Sequence, residues 1–457
     1  MDATLITGWE GLCQLLAPAF MRPTFVTFLH IATGWVLCRS RPTVTNLVCT
    51  IGTCLLGYLA KHWTVYERFF YRAAWSLQDV SHLLLVNVVA PLVQGHAVES
   101  VIDLAIDDTT CGRCGKHVAY AGYFKDASVG NTLKKVVHWA HNWVIGCVTM
   151  RAKRWPSWVI GLPVLFALYR KRPDCGRDHP FKTRQQIAAA MICQVHEALP
   201  DWEIRVAADG QYATQVVVDA VATARTNLVS RIRSDAAIYA LPSPNRRRQH
   251  GRHPKKGQRL PTPRQIARRW KKGWRTVKVL IYGHQVKRHV LPVVCLWYRV
   301  AKDRPIKLLI IRDPSGEQKD DFAFCTDPTV DDGQIVERFA ARWPIEEAIH
   351  DAKQHGGFEQ VQGWCAHTVE RQAPMALVVQ TLVKAWYLRY GAAAKSAQPN
   401  GSAVCQWLGD KDHPSYLDML ATLRRVLWEH RINIKSTLKG EVRALWKLLQ
   451  FTLCAAA

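Results

Sequence analysis

The chain has 457 residues, 49% of them hydrophobic, and a formal net charge of +25 at pH 7. This length and apolar content indicate a globular protein with a sizeable core and two or three domains. The positive charge is far larger than solubility requires. We therefore expect an acidic partner, and nucleic acid is favoured over an anionic membrane surface.

Membrane spans and export are not indicated. The longest apolar stretches, residues 24–38 and 44–60, are short and contain His30 and Asn46, so they predict buried helices. The opening sequence MDATLITGWEGL lacks the basic region and the small-residue cleavage site of a secretory signal. We therefore expect a cytoplasmic protein without a membrane partner.

The first 95 residues have a helical pattern. Within them, residues 41–52 and 61–75 resemble two short helices joined by a turn, and the second places Lys61, Arg68 and Arg72 on its polar side. One interpretation is a helix-turn-helix whose second helix enters a DNA major groove. The other is a helical bundle with a solvated basic face, and the sequence leaves both open.

Strands begin near residue 100. Residues 100–107, 117–124, 142–150 and 160–170 are apolar, β-branched or aromatic and are bounded by glycine, proline or charge. Residues 183–199 have helical periodicity, and strand, helix and strand then follow at 202–209, 212–224 and 227–234. This order predicts an α/β sheet with helices packed on it.

A basic segment follows, with no Asp or Glu between Ala236 and Lys302. Its first part is rich in proline and glycine and predicts a solvated arm, whereas its second part resumes strand alternation and predicts hairpins. Lysines and arginines interleaved with Trp270 and Tyr282 are typical of phosphate contact and base stacking. The predicted DNA-binding residues of this segment are Arg246, Arg247, Arg248, Lys255, Lys256, Lys271, Lys272, Trp274 and Arg275.

Three carboxylates stand at positions that suit metal binding. Asp108 and Asp209 each follow a predicted strand, and Glu346 lies on a predicted helix. Such oxygen donors can hold a pair of hard divalent cations, which then promote attack on a phosphodiester. Taken singly, each acid has a plainer explanation as a helix cap or as a partner of the helix dipole. Asp107 is adjacent to Asp108 and points to the opposite face if the strand continues.

The segment FAARWPIEEAIHDAKQHGG, residues 339–357, carries the third acid. Phe339, Arg342, Glu346 and Lys353 are spaced by three, four and seven residues, which places them on one face of a continuous helix. Pro344 interrupts that pattern. If the helix starts afresh at the proline, only Glu346 and Lys353 keep a common face.

This spacing resembles the Y-(2)-R-(3)-E-(6)-K signature of the DDE transposases of the insertion-sequence-four superfamily. The sequence IDDTT resembles the first-aspartate block of those enzymes, and ADGQY resembles the second. The three blocks occur in the family's order, with the basic segment between the second and third acids. Alignment on DTT favours Asp108 over Asp107 as the first acid, and Phe339 replaces the family's tyrosine.

The resemblance implies an α/β fold: an RNase H-like mixed-sheet catalytic core with a β-rich basic insertion, flanked by helical N- and C-terminal regions. It implies that Asp108, Asp209 and Glu346 hold two Mg²⁺ ions, with Mn²⁺ as a substitute. Arg342 and Lys353 would bind phosphates, and Phe339 would pack or stack against DNA. The implied activity is cut-and-paste movement of a bacterial insertion sequence. The implied partner is double-stranded DNA, both element ends and target, held by a homodimer at the nucleoid.

The expected organisation is a helical domain at 1–95, the first part of the core at 96–235, the basic insertion at 236–328, the core helix with the glutamate at 329–370 and a helical region at 371–457, which is a candidate for dimer contact. Two other functions stay open. One is an inactive, domesticated DNA-binding protein that keeps the scaffold. The other is a metal-dependent nuclease that cuts without integration.

Overall fold

The computed structural model describes residues 4–54, 61–97, 100–125, 136–242, 254–396 and 412–435. The N-terminal helices are α1 (Thr4–Gln14), α2 (Arg22–Leu37), α3 (Val44–Cys54), α4 (Trp63–Tyr71), α5 (Leu77–Leu83) and α6 (Ala90–His96). A π-helical segment, Leu84–Val89, joins α5 to α6. The later helices are α7 (Arg184–Ala198), α8 (Gln215–Thr223), α9 (Pro263–Arg269), α10 (Tyr298–Ala301), α11 (Asp332–Ala340), α12 (Pro344–Gln354), α13 (Ala366–Ser396) and α14 (Tyr416–Lys435).

The strands of the described residues form one mixed sheet. They are β1 (Val101–Gly112), β2 (Gly122–Lys125), β3 (Val137–Ala152), β4 (Trp155–Tyr169), β5 (Glu203–Ala208), β6 (Asn227–Arg231), β7 (Arg275–Ile281), β8 (His284–Cys295), β9 (Ile306–Arg312) and β10 (Asp321–Cys325). Their order is β2-β3-β1-β5-β6-β10-β9-β8-β7, and β4 pairs with β3. β2 and β4 lie one after the other along the same edge of β3.

Five of these strands, in the order β4-β3-β1-β5-β6, form an RNase H-like core, which confirms the predicted fold class. β1, β5 and β6 are parallel, whereas β3 is antiparallel to both β1 and β4. β3 is buried on both faces over most of its length, which explains its nearly continuous apolar sequence. The helix α7 between β4 and β5 begins with a capping box formed by Thr183 and Gln186.

The basic segment extends this sheet. β10 pairs antiparallel with β6, and β9, β8 and β7 follow outward. The predicted hairpin is β7–β8, whose turn places Tyr282 and Gly283 at positive φ angles of 48° and 84°. The expected solvated arm needs correction in its described part. There Leu260 donates its backbone N–H to Ile238 and Ala240 donates to Gln258, so this stretch is bonded to the chain before it.

The N-terminal helices share one apolar core with the sheet and with α13. The indole of Trp386 on α13 donates to the carbonyl of Leu5, and Trp35 on α2 donates to the carbonyl of Gly356. α4 is only nine residues long and buries Tyr66 and Phe69. This packing favours the helical bundle over a free helix-turn-helix.

Within the described residues, the segment Leu77–His96 is the one helix long and apolar enough to cross a membrane. Half of its 18-residue apolar stretch is buried, and Leu84, Leu85 and Val88 have no exposed surface. A buried core helix passes the same test of length and composition, so this segment is weak support for a membrane span.

Candidate active site

Asp107 and Asp209 lie side by side at the carboxyl edge of the parallel strands. Residues 101–106 of β1 pair in parallel register with residues 203–208 of β5, so each aspartate is the residue that directly follows this paired stretch. Asp209 keeps an extended backbone, with φ −66° and ψ 159°. Side chains at paired positions of parallel strands project to the same face. The two carboxylates therefore share a face, and the charge of Asp209 helps to raise the pKa of Asp107.

Asp108 faces the other side of the sheet. Its carboxylate accepts hydrogen bonds from Arg184 at 2.8 Å, Asn142 at 2.7 Å and the hydroxyl of Tyr212 at 3.0 Å, and from the amide of Gln211. Its side chain is 6% exposed. The structure therefore does not bring Asp108 together with the other two predicted acids. The sequence-based preference for Asp108 over Asp107 is corrected, because strand alternation turns adjacent residues to opposite faces.

Arg342 joins the first and third acids. Its Nη1 lies 3.0 Å from Oδ2 of Asp107, and its Nη2 lies 2.7 Å from Oε1 of Glu346. Arg342 precedes α12 in the turn that follows α11, and Pro344 occupies the first helical turn of α12. Glu346 therefore lies in the first turn of α12, and the guanidinium reaches across from the helix to the end of β1.

The electrostatics at this edge reflect burial. Burial raises the pKa of Asp107 to about 7, and the Arg342 guanidinium opposes that rise. Burial also raises the pKa of Tyr212 well above its ordinary value, and the charge of Asp108 adds to the effect. Tyr212 is therefore a neutral hydrogen-bond donor to Asp108.

The three acids Asp107, Asp209 and Glu346 offer the hard oxygen donors that Mg²⁺ and Mn²⁺ require. In the described part of the chain, no three His, Cys, Asp or Glu side chains are close enough to enclose one ion. The Arg342 guanidinium is the cation that Asp107 and Glu346 share in this conformation. The donor chemistry fits divalent ions, and a shift of Arg342 would free two of the three carboxylates for them.

Lys353 and Phe339 have different surroundings. Lys353, on α12, donates to the carbonyl of Thr110 at 2.7 Å and pairs with Glu359 at 3.1 Å, so it lies at the end of β1. Phe339 belongs to α11 and packs in a second apolar cluster with Val279 and Ile335. Of the two alternatives, the helix that starts afresh at Pro344 is the one observed, so the four signature residues do not share one continuous helix face.

The predicted DNA-binding residues of the basic segment are dispersed. Arg246, Arg247 and Arg248 lie outside the described residues. Lys271 and Lys272 are exposed before β7, and Arg275 is 3.4 Å from Asp332. Lys255 lies 3.9 Å from Asp303, and the ammonium of Lys256 lies over the rings of Tyr239 and Tyr298. The indole of Trp274 donates to the carbonyl of Trp270, and the guanidinium of Arg312 lies over its ring.

A cleft of about 190 Å³ lies beside α12. The β7–β8 turn, the start of β4 and the junction of α11 and α12 form its walls, and Trp158, Tyr282 and Trp343 line it. The rings of Tyr282 and Trp343 meet edge to face, with centroids 6.4 Å apart. The hairpin of the basic segment therefore reaches the helix that carries Glu346. Sequence reasoning missed Trp343 here because nothing local distinguishes it from a core tryptophan.

The family model for the DDE superfamily endonucleases matches residues 15–285. The chain belongs to this superfamily. The matched range contains Asp107, Asp108 and Asp209 but ends before Glu346. Endonucleases of this superfamily generally use divalent metal ions.

Two other comparisons add little to that assignment. No curated protein matches the sequence. Among solved structures, the piggyBac transposase synaptic complex with hairpin DNA is similar, with a TM-score of 0.39 and 10% identity over 98% of this chain and 82% of that chain. This likeness is remote, and the fold assignment stands on the strand order of the sheet itself.

Proposed function

We propose that this DDE endonuclease is a DNA transposase of the insertion-sequence-four type, which cleaves DNA at element ends and transfers the freed strand into target DNA. The observation that carries the proposal is the convergence of Asp107, Asp209 and Glu346 at one edge of an RNase H-like core. Asp107 replaces Asp108 as the first acid of the proposed triad.

The proposed roles follow from the contacts. Asp107, Asp209 and Glu346 hold two Mg²⁺ ions, with Mn²⁺ as a substitute. Such ions, when bound, activate the attacking hydroxyl and stabilise the leaving oxygen of the phosphodiester. Arg342, released from Asp107 and Glu346, binds a phosphate oxygen, and Lys353 does so from the next turns of α12.

Asp108 has a positioning role in this proposal. Two of its partners, Gln211 and Tyr212, belong to the 3₁₀ turn that directly follows Asp209. Asp108 thereby ties the end of β1 to the end of β5 from the face opposite the acids. Fixed strand ends keep the carboxylates in place, as ligand-supporting residues do in metal sites.

The proposed partner is double-stranded DNA, supplied as element ends and target. The net charge of +25 supports this partner, since it favours a polyanion. We propose a homodimer, because two element ends must be held together for their joint transfer. The proposal implies a place of action at the nucleoid, in the bacterial cytoplasm.

Cleavage of a labelled duplex that carries the genomic flanks of the reading frame tests the proposal. With Mg²⁺ we expect the wild type to cut, and Asp107→Asn, Asp209→Asn and Glu346→Gln each to lose about a thousandfold or more in rate while still binding DNA. Asp201→Asn, an exposed carboxylate before the amino end of β5 and so at the opposite end of that strand from Asp209, is the matched control and should keep full activity.

The outcomes separate the rival functions. Binding without cleavage by the wild type would favour an inactive DNA-binding protein. Cleavage without any product joined to a target duplex would favour a nuclease. Loss of cleavage in Asp108→Asn but not in Asp107→Asn would contradict the revised triad.

A further inference from the structure

The loop between β4 and α7, residues 170–184, is a basic surface outside the predicted DNA-binding set. We call it the β4–α7 loop. It contains two acids, Asp174 and Asp178. Its cations are Arg170, Lys171, Arg172, Arg177, Lys182 and Arg184. Charge runs of this length are common, so the local sequence by itself indicates an ordinary surface loop.

The loop leaves the sheet at the edge that bears the acids. Tyr169, the last residue of β4, pairs with Asn142 on β3, and Asn142 pairs with Thr110 on β1. At its other end, Arg184 lies 2.8 Å from the carboxylate of Asp108. One end of the loop therefore lies in register with Thr110, three residues after Asp107, and the other end contacts Asp108, the residue next to Asp107.

Aromatic rings hold several of the cations in place. The guanidinium of Arg170 lies 4.1 Å from the ring centre of Tyr120, and that of Arg172 lies 4.3 Å from the ring centre of Phe181. The ammonium of Lys171 lies 4.9 Å from the ring centre of Phe124. A ring face orients a cation without cancelling its charge, so the positive potential stays available to an anion.

Few carboxylates neutralise this surface. Arg170 pairs with Glu370, and Arg184 pairs with Asp108. Arg172, Arg177 and Lys182 are exposed, and within the described parts of the chain none of them is paired with a carboxylate. Three unpaired cations therefore stand on a loop whose two ends are fixed at the catalytic edge.

We propose that the β4–α7 loop binds the phosphate backbone of the duplex as it enters the active site. The ligand class is the phosphodiester backbone, independent of base sequence, since the exposed cations of the loop carry the charge that phosphate oxygens attract. This role of the loop rests on the proposed function only in that DNA is the substrate. It supplies contacts on the side of the sheet edge opposite α12.

The test compares two triple variants of equal charge change. The first is Arg172→Gln, Arg177→Gln and Lys182→Gln in the loop. The control replaces Lys153, Arg154 and Arg225 by Gln; all three are exposed, and they precede β4 or β6 at the opposite end of the strands. Binding to a fluorescent duplex is measured by anisotropy over a range of salt concentrations, with EDTA present so that cleavage plays no part.

We expect the loop triple to bind about tenfold to a hundredfold more weakly, and its salt slope to fall by about 0.9 for each lost phosphate contact. The control triple should bind like the wild type. The loss should be the same for an end-containing duplex and an unrelated duplex. Arg172→Lys with Arg177→Lys, which keeps the charge, should retain most of the affinity, and thermal unfolding should show that all variants are folded.

Four results would overturn the inference. Equal losses in both triples would show an effect of net charge alone, and no loss in the loop triple would show a solvated face. A loss confined to the end-containing duplex would show sequence reading rather than backbone contact. If the wild-type protein binds no DNA, both the proposed function and the proposed role of the loop are wrong. If it binds DNA strongly and the loop triple binds equally well, only the proposed role of the loop is wrong.

Discussion

Asp107 and Asp108 are consecutive residues, yet their carboxylates have separate partners on opposite faces of the sheet. Asp107 meets Arg342, whereas Asp108 is held by Arg184, Tyr212 and neighbouring amides. A carboxylate whose oxygens already accept four side-chain hydrogen bonds is poorly suited to metal binding. A buried carboxylate that shares one arginine with Glu346, as Asp107 does, is better suited to it.

Removal of Asp108 should destabilise the fold. In Asp108→Ala, the side chains of Arg184, Asn142 and Tyr212 lose a common acceptor next to the core. We expect the free energy of unfolding to fall by about 2 to 3 kcal/mol. Chemical denaturation measures this change, and Asp201→Ala, on the surface, should leave the midpoint unchanged. If Asp108→Ala leaves the free energy of unfolding unchanged, this network contributes nothing to stability.

Asp107 should make stability depend on pH in the absence of divalent ions. Its pKa is about 7 in the fold against an ordinary value of 3.8. The folded state therefore binds the proton more tightly, and the resulting stabilisation is complete below pH 4 and is lost as pH rises to about 7. The slope from this one group is at most about 1.4 kcal/mol per pH unit. Thermal unfolding in EDTA should show that decline in wild type and a flatter profile in Asp107→Asn.

Arg342 should compete with metal ions for Asp107 and Glu346. Its guanidinium lies within 3.0 Å of both carboxylates, so a divalent ion must displace it. In Arg342→Gln without DNA, we expect Mn²⁺ to bind roughly tenfold more tightly, which corresponds to about 1.4 kcal/mol. Titration calorimetry measures that affinity. Weaker Mn²⁺ binding in this variant would show instead that Arg342 organises the ligands.

At the scale of elements, α12 is placed by close packing on β4. A Cβ atom at Gly161 on β4 would lie 2.5 Å from the carbonyl oxygen of Pro344 on α12. Three polar side chains of α13 hold the two elements in that relation. Gln380 donates to the carbonyl of Ala348, and Thr381 and Lys384 donate to the carbonyls of Pro163 and Gly161.

Gly161→Ala should therefore move the start of α12 and with it Glu346. The new methyl group meets backbone, which cannot turn aside as a side chain can. We expect a loss of about 1 to 3 kcal/mol in stability and a drop in cleavage rate larger than any change in DNA binding. The control is Gly95→Ala on α6, where an added Cβ meets no atom within 4 Å. Full cleavage by Gly161→Ala would show that the site tolerates a shifted helix.

At the scale of the whole molecule, the catalytic core and the basic segment share one sheet. The hairpin β7–β8 lies at the far end of that sheet, yet its turn reaches Trp343 beside α12. Basic residues therefore occur both near the proposed acids and along an extended flank. A duplex that follows such a surface makes many phosphate contacts at once.

The affinity for DNA should consequently fall steeply with salt. If six or more phosphates are contacted, the association constant should drop by about a thousandfold or more between 50 and 200 mM salt, because bound counterions are released. Anisotropy with an unrelated duplex measures this dependence. A shallow slope would indicate that the charge of +25 serves another purpose than DNA binding.

The amino-acid sequence determined the chemistry and the local starts and stops. It supplied the basic charge, the alternation of strands and helices typical of an α/β sheet, acids at the strand ends, and a proline that begins α12. These features depend on residue type and short-range periodicity, which a sequence displays directly. They were enough to predict an α/β sheet and two members of the proposed triad, Asp209 and Glu346, and the family resemblance added the RNase H-like core.

The tertiary structure decided which of two adjacent acids belongs with Glu346. A strand of period two offers both faces equally, and only the packing of α12 on one face selects Asp107. It also made the basic segment part of the main sheet and brought the β4–α7 loop to the catalytic edge. Both depend on pairing between distant strands, such as β10 with β6 and β3 with β1 and β4, and no local pattern specifies such partners.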